Sequence, residues 1–104
     1  GKLDLNTHLI KHPTATFFVK ASGESMLGAG IHDGDILVVD RSLEPRKGRV
    51  VIAAVDGQLT VKRLQKKGSK TFLVPENKKF RSIELSENND VMIWGVVTNV
   101  IHKV

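Results

Sequence analysis

A serine in a glycine-rich bend and a lysine in an apolar strand are the two side chains of this sequence with types and setting suited to joint chemistry. Ser25 lies in Ala21-Ser22-Gly23-Glu24-Ser25-Met26-Leu27-Gly28-Ala29-Gly30, between an apolar run, Thr16 to Val19, and a β-branched run, Ile36 to Val39. Glycine-rich bends present backbone amides inward. A serine held on such a bend is a candidate nucleophile with its own oxyanion donors, although the same composition also builds ordinary turns. Lys62 follows 37 residues later, in Thr60-Val61-Lys62-Arg63-Leu64. On an exposed strand face it would be unremarkable. On a covered face, desolvation penalises the ammonium and lowers its pKa by up to ~3–5 units. A neutral amine beside a hydroxyl is a general base, the Ser-Lys variant of nucleophilic catalysis. Burial does the tuning, and no aspartate is needed to set a tautomer.

Other groupings are weaker. A Ser-His-Asp arrangement would draw on His32 with Asp33, Asp35 or Asp40, but His32 sits within the same turn-rich segment as Ser25. His102 is near the end of the chain with no marked acidic orienter. Asp33 and Asp35 flank Gly34 and read as turn residues capping their own backbone. Asp33, Asp35 and Asp40 lack the spacing of a calcium loop. His8 and His12 have i, i+4 spacing, which suits a metal on a helix, but no third ligand is evident and an exposed helix face is expected.

The elements that must position Ser25 and Lys62 are mostly strands. Asn6 is the expected cap of a short helix running to Lys11, with Leu5, Leu9 and Ile10 on its apolar side and Pro13 beyond its end. Strands are expected over Thr16–Lys20 and Ile36–Asp40. Gly48–Val55 is a near-continuous apolar run, as for a strand buried on both sides. Asp56-Gly57 has type I′ hairpin chemistry, with Gln58–Leu64 as the return strand. A turn over Lys66–Ser69, a strand over Thr71–Val74, polar loop over Glu76–Phe80, a brief strand over Ile83–Leu85 and a turn at Glu87–Asp90 follow. Val91–Val104 closes the chain as one long strand, or as two broken at Gly95. The fold class is mostly β, with one or two short helical turns.

The 104 residues suit one domain over 1–104, able to bury roughly two-thirds of its unfolded surface. There is no cysteine, so neither disulfides nor a thiolate zinc site holds the chain together, and a reducing cytoplasm is the expected location. No apolar run approaches the ~20 residues of a membrane span, and no signal-peptide pattern opens the chain. The formal charge of +5 points toward acidic partners. However, the basic residues fall in short scattered groups, and with four Phe, one Trp and no Tyr there is no stacking platform for single strands. This pattern argues against direct nucleic-acid binding. No cofactor or metal is expected.

Taken together, Gly23-Glu24-Ser25-Met26, Gly30 to Asp40, Val61-Lys62-Arg63-Leu64, Leu73-Val74-Pro75-Glu76-Asn77 and Trp94-Gly95-Val96-Val97 resemble the LexA/UmuD family of self-cleaving serine peptidases. The serine-to-lysine separation fits the family pattern, and the likeness runs from Leu3 onward. Asp4 to Thr16 and Phe18 to Gly23 are similar to the UmuD/MucA type more than to LexA. The resemblance implies the signal-peptidase-like β-fold of the LexA C-terminal domain. It implies Ser25 as nucleophile, Lys62 as base and the Ser25 and Met26 amides as oxyanion hole. It further implies an SOS mutagenesis factor, cut near its N-terminus with the help of a RecA nucleoprotein filament. The trimmed homodimer would then join a UmuC-type Y-family polymerase in lesion bypass. On this reading residues 1–13 are a remnant of the cleavable arm, the part of the arm that holds the family's Cys-Gly or Ala-Gly scissile bond is absent, and the Ser-Lys pair has no bond of its own to cut. A pure interaction module, docking through the C-terminal strand and sheet edges, is compatible with the same residues. The alternative is the dimerisation and autoproteolysis domain of a LexA-type repressor, although no helix-turn-helix precedes these residues. A signal peptidase shares the Ser-Lys logic without the membrane anchor.

Overall fold

The computed structural model describes residues 2–104. Seven strands, β1 (Thr16–Lys20), β2 (Ile36–Asp40), β3 (Val50–Val55), β4 (Gln58–Lys67), β5 (Lys70–Val74), β6 (Ile83–Glu84) and β7 (Val91–Ile101), form one sheet in the order β1-β2-β7-β3-β4-β5-β6. Every pairing is antiparallel. The topology has one non-local feature: the last strand inserts between β2 and β3. It stitches the β1-β2 ribbon to the β3-to-β6 meander, so the sheet closes only when the C-terminal strand is in place.

The predicted strands β1 and β2 match the structure residue for residue. The β3-β4 hairpin turns at Asp56-Gly57 with positive φ at both residues, +48° and +84°, as a type I′ turn requires. The return strand continues past its expected end at Leu64 to Lys67, because the Gln65-Lys66-Lys67 segment pairs with Lys70-Thr71-Phe72. The next turn therefore tightens to Gly68-Ser69.

The apolar run of β3 is buried on both faces as expected, and the two-residue period explains how. Val50 and Ile52 face a cluster built with Ala21, Met26, Ile31, Leu37 and Val39. Val51 and Ala53 face a second one, with Leu64, Leu73 and Val96. Each fully buried aliphatic side chain contributes roughly 1.5–3 kcal/mol.

Two expectations need correction. The N-terminal helix, α1 (Leu5–Leu9), is capped by Asp4 rather than Asn6: the Asp4 carboxylate accepts the backbone N–H groups of Asn6 (3.0 Å) and Thr7 (3.4 Å). It ends before Lys11, and Leu5 is exposed while only Leu9 and Ile10 are half-buried. The closing strand is the single long strand of the two alternatives, but it ends at Ile101 rather than Val104. Gly95 is instead the point where β7 passes so close to β2 that a Cβ would lie 2.7 Å from Val39 Cγ1. The irregularities fall beside it, in register shifts that leave Trp94 out of the β3 ladder and Thr98 out of the β2 ladder.

Candidate active site

Ser25 is held from two sides. On the approach from β1, the Ala21 N–H donates to the Asp35 carbonyl (2.7 Å), the Gly34 N–H donates to the Ala21 carbonyl (2.8 Å), and the Gly23 N–H donates to Asp33 Oδ1 (2.7 Å). Beyond Ser25 the chain drops into a short 3₁₀ turn, Leu27–Ala29, while Met26 anchors the bend in the core. From the other side comes Pro75-Glu76-Asn77, just past β5. The Glu76 N–H donates to the Ser25 carbonyl, the Gly28 N–H donates to the Glu76 carbonyl, and the Asn77 side-chain amide donates to the Glu24 carbonyl, each at 2.8 Å. The contact between Gly28 and Glu76 admits no side chain, since a Cβ on Gly28 would sit 2.8 Å from the Glu76 oxygen. Arg63 steadies the brace by donating from Nε to Glu76 Oε1 (2.6 Å) and from its terminal nitrogen to the Gly48 carbonyl.

Lys62 reaches this bend from β4, where it stands across from the fully buried Val51. Its Nζ is 3.0 Å from Ser25 Oγ, 3.1 Å from the Val61 carbonyl oxygen and within hydrogen-bond reach of Thr60 Oγ1. Lys62 is 7% exposed, and among the described residues no carboxylate pairs with it. Burial with no compensating charge pushes its pKa below the ordinary lysine value. The valence count fits a neutral amine. Its two N–H groups would go to the carbonyl and Thr60 and its lone pair to the Ser25 hydroxyl, whereas an ammonium would donate to all three.

Ser25 itself is half-buried at the edge of a cavity of about 180 Å³, whose walls include Val19, Ala21, Ile31, Ile52 and Val61. Among the described residues, neither the Ser25 nor the Met26 backbone N–H donates a hydrogen bond. Such free amides beside a nucleophile are oriented donors for a developing oxyanion. The Ser25 hydroxyl, the Lys62 amine and two amides without a hydrogen-bond partner thus lie beside one cavity.

The remaining candidates disperse. Asp33 holds Gly23 rather than capping its own turn, whereas Asp35 accepts the His32 backbone N–H (2.7 Å) as a local cap should. Asp40 accepts the Ser42 N–H and hydroxyl and faces His12. Among the described residues these three carboxylates do not converge on one point. His12 lies beyond the end of α1, so it does not share a helix face with His8. His102 does have an acidic orienter, contrary to expectation: its Nδ1 is 2.6 Å from Asp35 Oδ1. The β2–β7 pairing, which brings together residues 67 apart, makes that contact. No hydrogen bond connects either His32 or His102 to Ser25, which leaves the Ser-His-Asp arrangement without support. The Glu76-Asn77 brace was visible only as polar loop within a family-like motif, and Thr60 only as a neighbour on the face of Lys62.

Residues 1–98 match the Peptidase S24-like family. The chain is 48% identical over 103 residues to Protein ImpA of Escherichia coli, covering 98% of this chain and 69% of ImpA. It is 44% identical over 99 residues to Protein MucA of Escherichia coli, covering 94% and 67%. To the LexA repressor of Ectopseudomonas mendocina (strain ymp) it is 40% identical over 93 residues, covering 88% of this chain and 46% of that protein. The seven-stranded antiparallel sheet agrees with the same assignment. The chain belongs to the Peptidase S24-like family, and within it resembles the UmuD/MucA type more closely than the LexA repressors.

Proposed function

We propose that this chain is a UmuD/MucA-type SOS mutagenesis factor whose Ser25 and Lys62 form a self-cleaving peptidase dyad. The observation that carries the reading is the 3.0 Å approach of a buried lysine without an acidic partner to a serine hydroxyl on a braced bend. Ser25 Oγ attacks the scissile carbonyl carbon while its proton passes to the Lys62 lone pair. The oxyanion forms against the Ser25 and Met26 amides. The tetrahedral adduct collapses, the C–N bond breaks, and the leaving amine takes the proton back from Lys62. Water, deprotonated by the same amine, adds to the acyl carbon; the ester C–O bond then breaks and Lys62 returns the proton to Ser25 Oγ.

In this reading the substrate is a small-residue–glycine bond in an N-terminal arm of the UmuD type, and residues 1–13 are the root of that arm. A RecA filament promotes the cut. The cleaved product acts in the cytoplasm as a homodimer on a UmuC-type Y-family polymerase. The test mixes this chain with an arm-bearing copy whose Ser25 is alanine. Cleavage of that copy, lost in Lys62→Ala and rising with pH, supports the dyad; equal cleavage by Lys62→Ala removes it.

A further inference from the structure

A second cluster of chemically capable side chains lies where β2 begins and β7 ends, and the dyad uses none of it. The register Ile36↔Ile101 sets the next residue outward on each strand, Asp35 and His102, side by side. His32 arrives from the turn that leads into β2. Its ring stacks on that of His102 with centroids 4.7 Å apart and planes tilted by 37°. The Asp35 carboxylate is buried between them at 3% exposure, whereas both imidazoles are half-exposed.

Both Nδ1 atoms face that one carboxylate, and hydrogen bonding satisfies them unequally. His102 Nδ1 is 2.6 Å from Oδ1. Oδ2 takes the His32 backbone N–H at 2.7 Å, and His32 Nδ1 remains 3.6 Å away, too far for a hydrogen bond. His32 Nδ1 thus faces the acid without a hydrogen bond to it, beside a second imidazole. One divalent ion between them satisfies all three groups at once.

The donor set has the right composition and convergence for this. One ligand atom from each of His32, Asp35 and His102 lies within 4.8 Å of the other two. Ion–ligand distances of about 2.0–2.2 Å place ligand atoms roughly 3.4 Å apart in a tetrahedral shell, so the 2.6 Å ring–carboxylate contact must open and the widest pair must draw in. Two imidazole nitrogens and one carboxylate oxygen suit zinc and its first-row neighbours, whereas magnesium and calcium prefer all-oxygen shells. We propose that His32, Asp35 and His102 bind one divalent first-row ion of the zinc type, with water completing the shell. The ion would tie the end of β7 to the turn before β2, closing the strand insertion that completes the sheet.

The test uses the full chain stripped with a chelator, titrated with Zn²⁺ by calorimetry and with Co²⁺ by visible absorption. The expected result is one ion per chain, low-coordinate Co²⁺ bands, and a rise in Tm on binding. His32→Ala and His102→Ala replace half-exposed side chains, so they are expected to fold as wild type and to weaken binding more than about tenfold, the scale of losing even an outer partner of a metal. Ser25→Ala and His8→Ala should bind normally, which separates this site from the dyad and from the remaining surface histidine on α1. The proposal is overturned if stripped protein takes up no Zn²⁺, if both histidine variants bind as wild type, or if Mg²⁺ competes on equal terms.

Discussion

Asn77 donates its side-chain amide to the carbonyl of Glu24 at 2.8 Å, one residue ahead of the serine that Lys62 contacts. With the Glu76–Ser25 and Gly28–Glu76 hydrogen bonds, it makes the loop after β5 a splint for the Ser25 bend. A displacement of even 1 Å at a reacting group can cost about a hundredfold in rate. Asn77→Ala is therefore expected to slow cleavage of an arm-bearing copy by about tenfold or more. The lost hydrogen bond should cost only about 1 kcal/mol of stability. Single-turnover cleavage and urea unfolding on the same preparation read the two effects. A rate loss no larger than the stability loss accounts for would show that the splint does not position Ser25.

Lys62 supplies a prediction whose sign is set by burial. Desolvation holds its folded pKa below the unfolded value of about 10.4. Between those two values the unfolded chain binds the extra proton, so stability rises with pH across that window; below the folded value the full cost of a buried ammonium is present. Cleavage should climb over the lower part of the same window as the amine becomes neutral. Lys62→Met keeps the stem and removes the titration. It should abolish cleavage and flatten the alkaline rise in unfolding midpoint. Thr60→Val removes one acceptor of the amine, and Thr60→Ser restores it, so cleavage should fall in the first and largely return in the second. A flat wild-type rate–pH profile would contradict Lys62 as the base.

How far the sequence discloses this arrangement depends on the range of the interactions. β1, β2 and the Asp56-Gly57 turn are written locally, in period-two apolar runs and in a dipeptide that tolerates positive φ. The helix starts two residues before the expected cap at Asn6, because Asp4 is also a capping residue type and its extended backbone aims the carboxylate at the Asn6 and Thr7 N–H groups. Whether the closing run is one strand or two broken at Gly95 was open in the sequence; β7 is continuous, and the close passage against Val39 accounts for the glycine. The family-like motifs pointed to Ser25 and Lys62 as a pair, yet nothing along β4 says that Lys62 is covered. That follows from its place opposite Val51 in a sheet closed by β7. The Asp35–His102 contact was illegible for the same reason, since it exists only in the β2–β7 register.

The two buried carboxylates that bracket β2 predict an acid-sensitive fold. Asp35 is held below the usual carboxylate range by the His32 backbone N–H and then by the His102 side chain. Burial alone would raise Asp40, but hydrogen bonds from Ser42 and His12 outweigh it and the pKa falls. A depressed folded pKa contributes stability that is present above the unfolded value, about 3.9, and is lost as pH drops through the folded value. Urea midpoints measured from neutral pH downward should therefore decline most steeply below about pH 4. Asp40→Asn should lower the neutral-pH midpoint and make the acid decline shallower. An unchanged acid slope in that variant would remove Asp40 from the account.

Gly95 offers the sharpest test of the strand insertion. A methyl group there meets Val39 Cγ1 at 2.7 Å and lies 3.2 Å from the Asp40 carbonyl oxygen, so β7 and β2 must part or Val39 must leave its rotamer. Overpacking of this kind costs typically 1–3 kcal/mol. Gly95→Ala is expected to be destabilised by about that amount, and Gly95→Ala/Val39→Ala to recover part of it by vacating the methyl's position, although the truncation leaves a cavity of its own. A double-mutant cycle by urea unfolding measures the coupling between the two positions. Strictly additive effects would mean that β7 reaches its place between β2 and β3 without the close passage at Gly95.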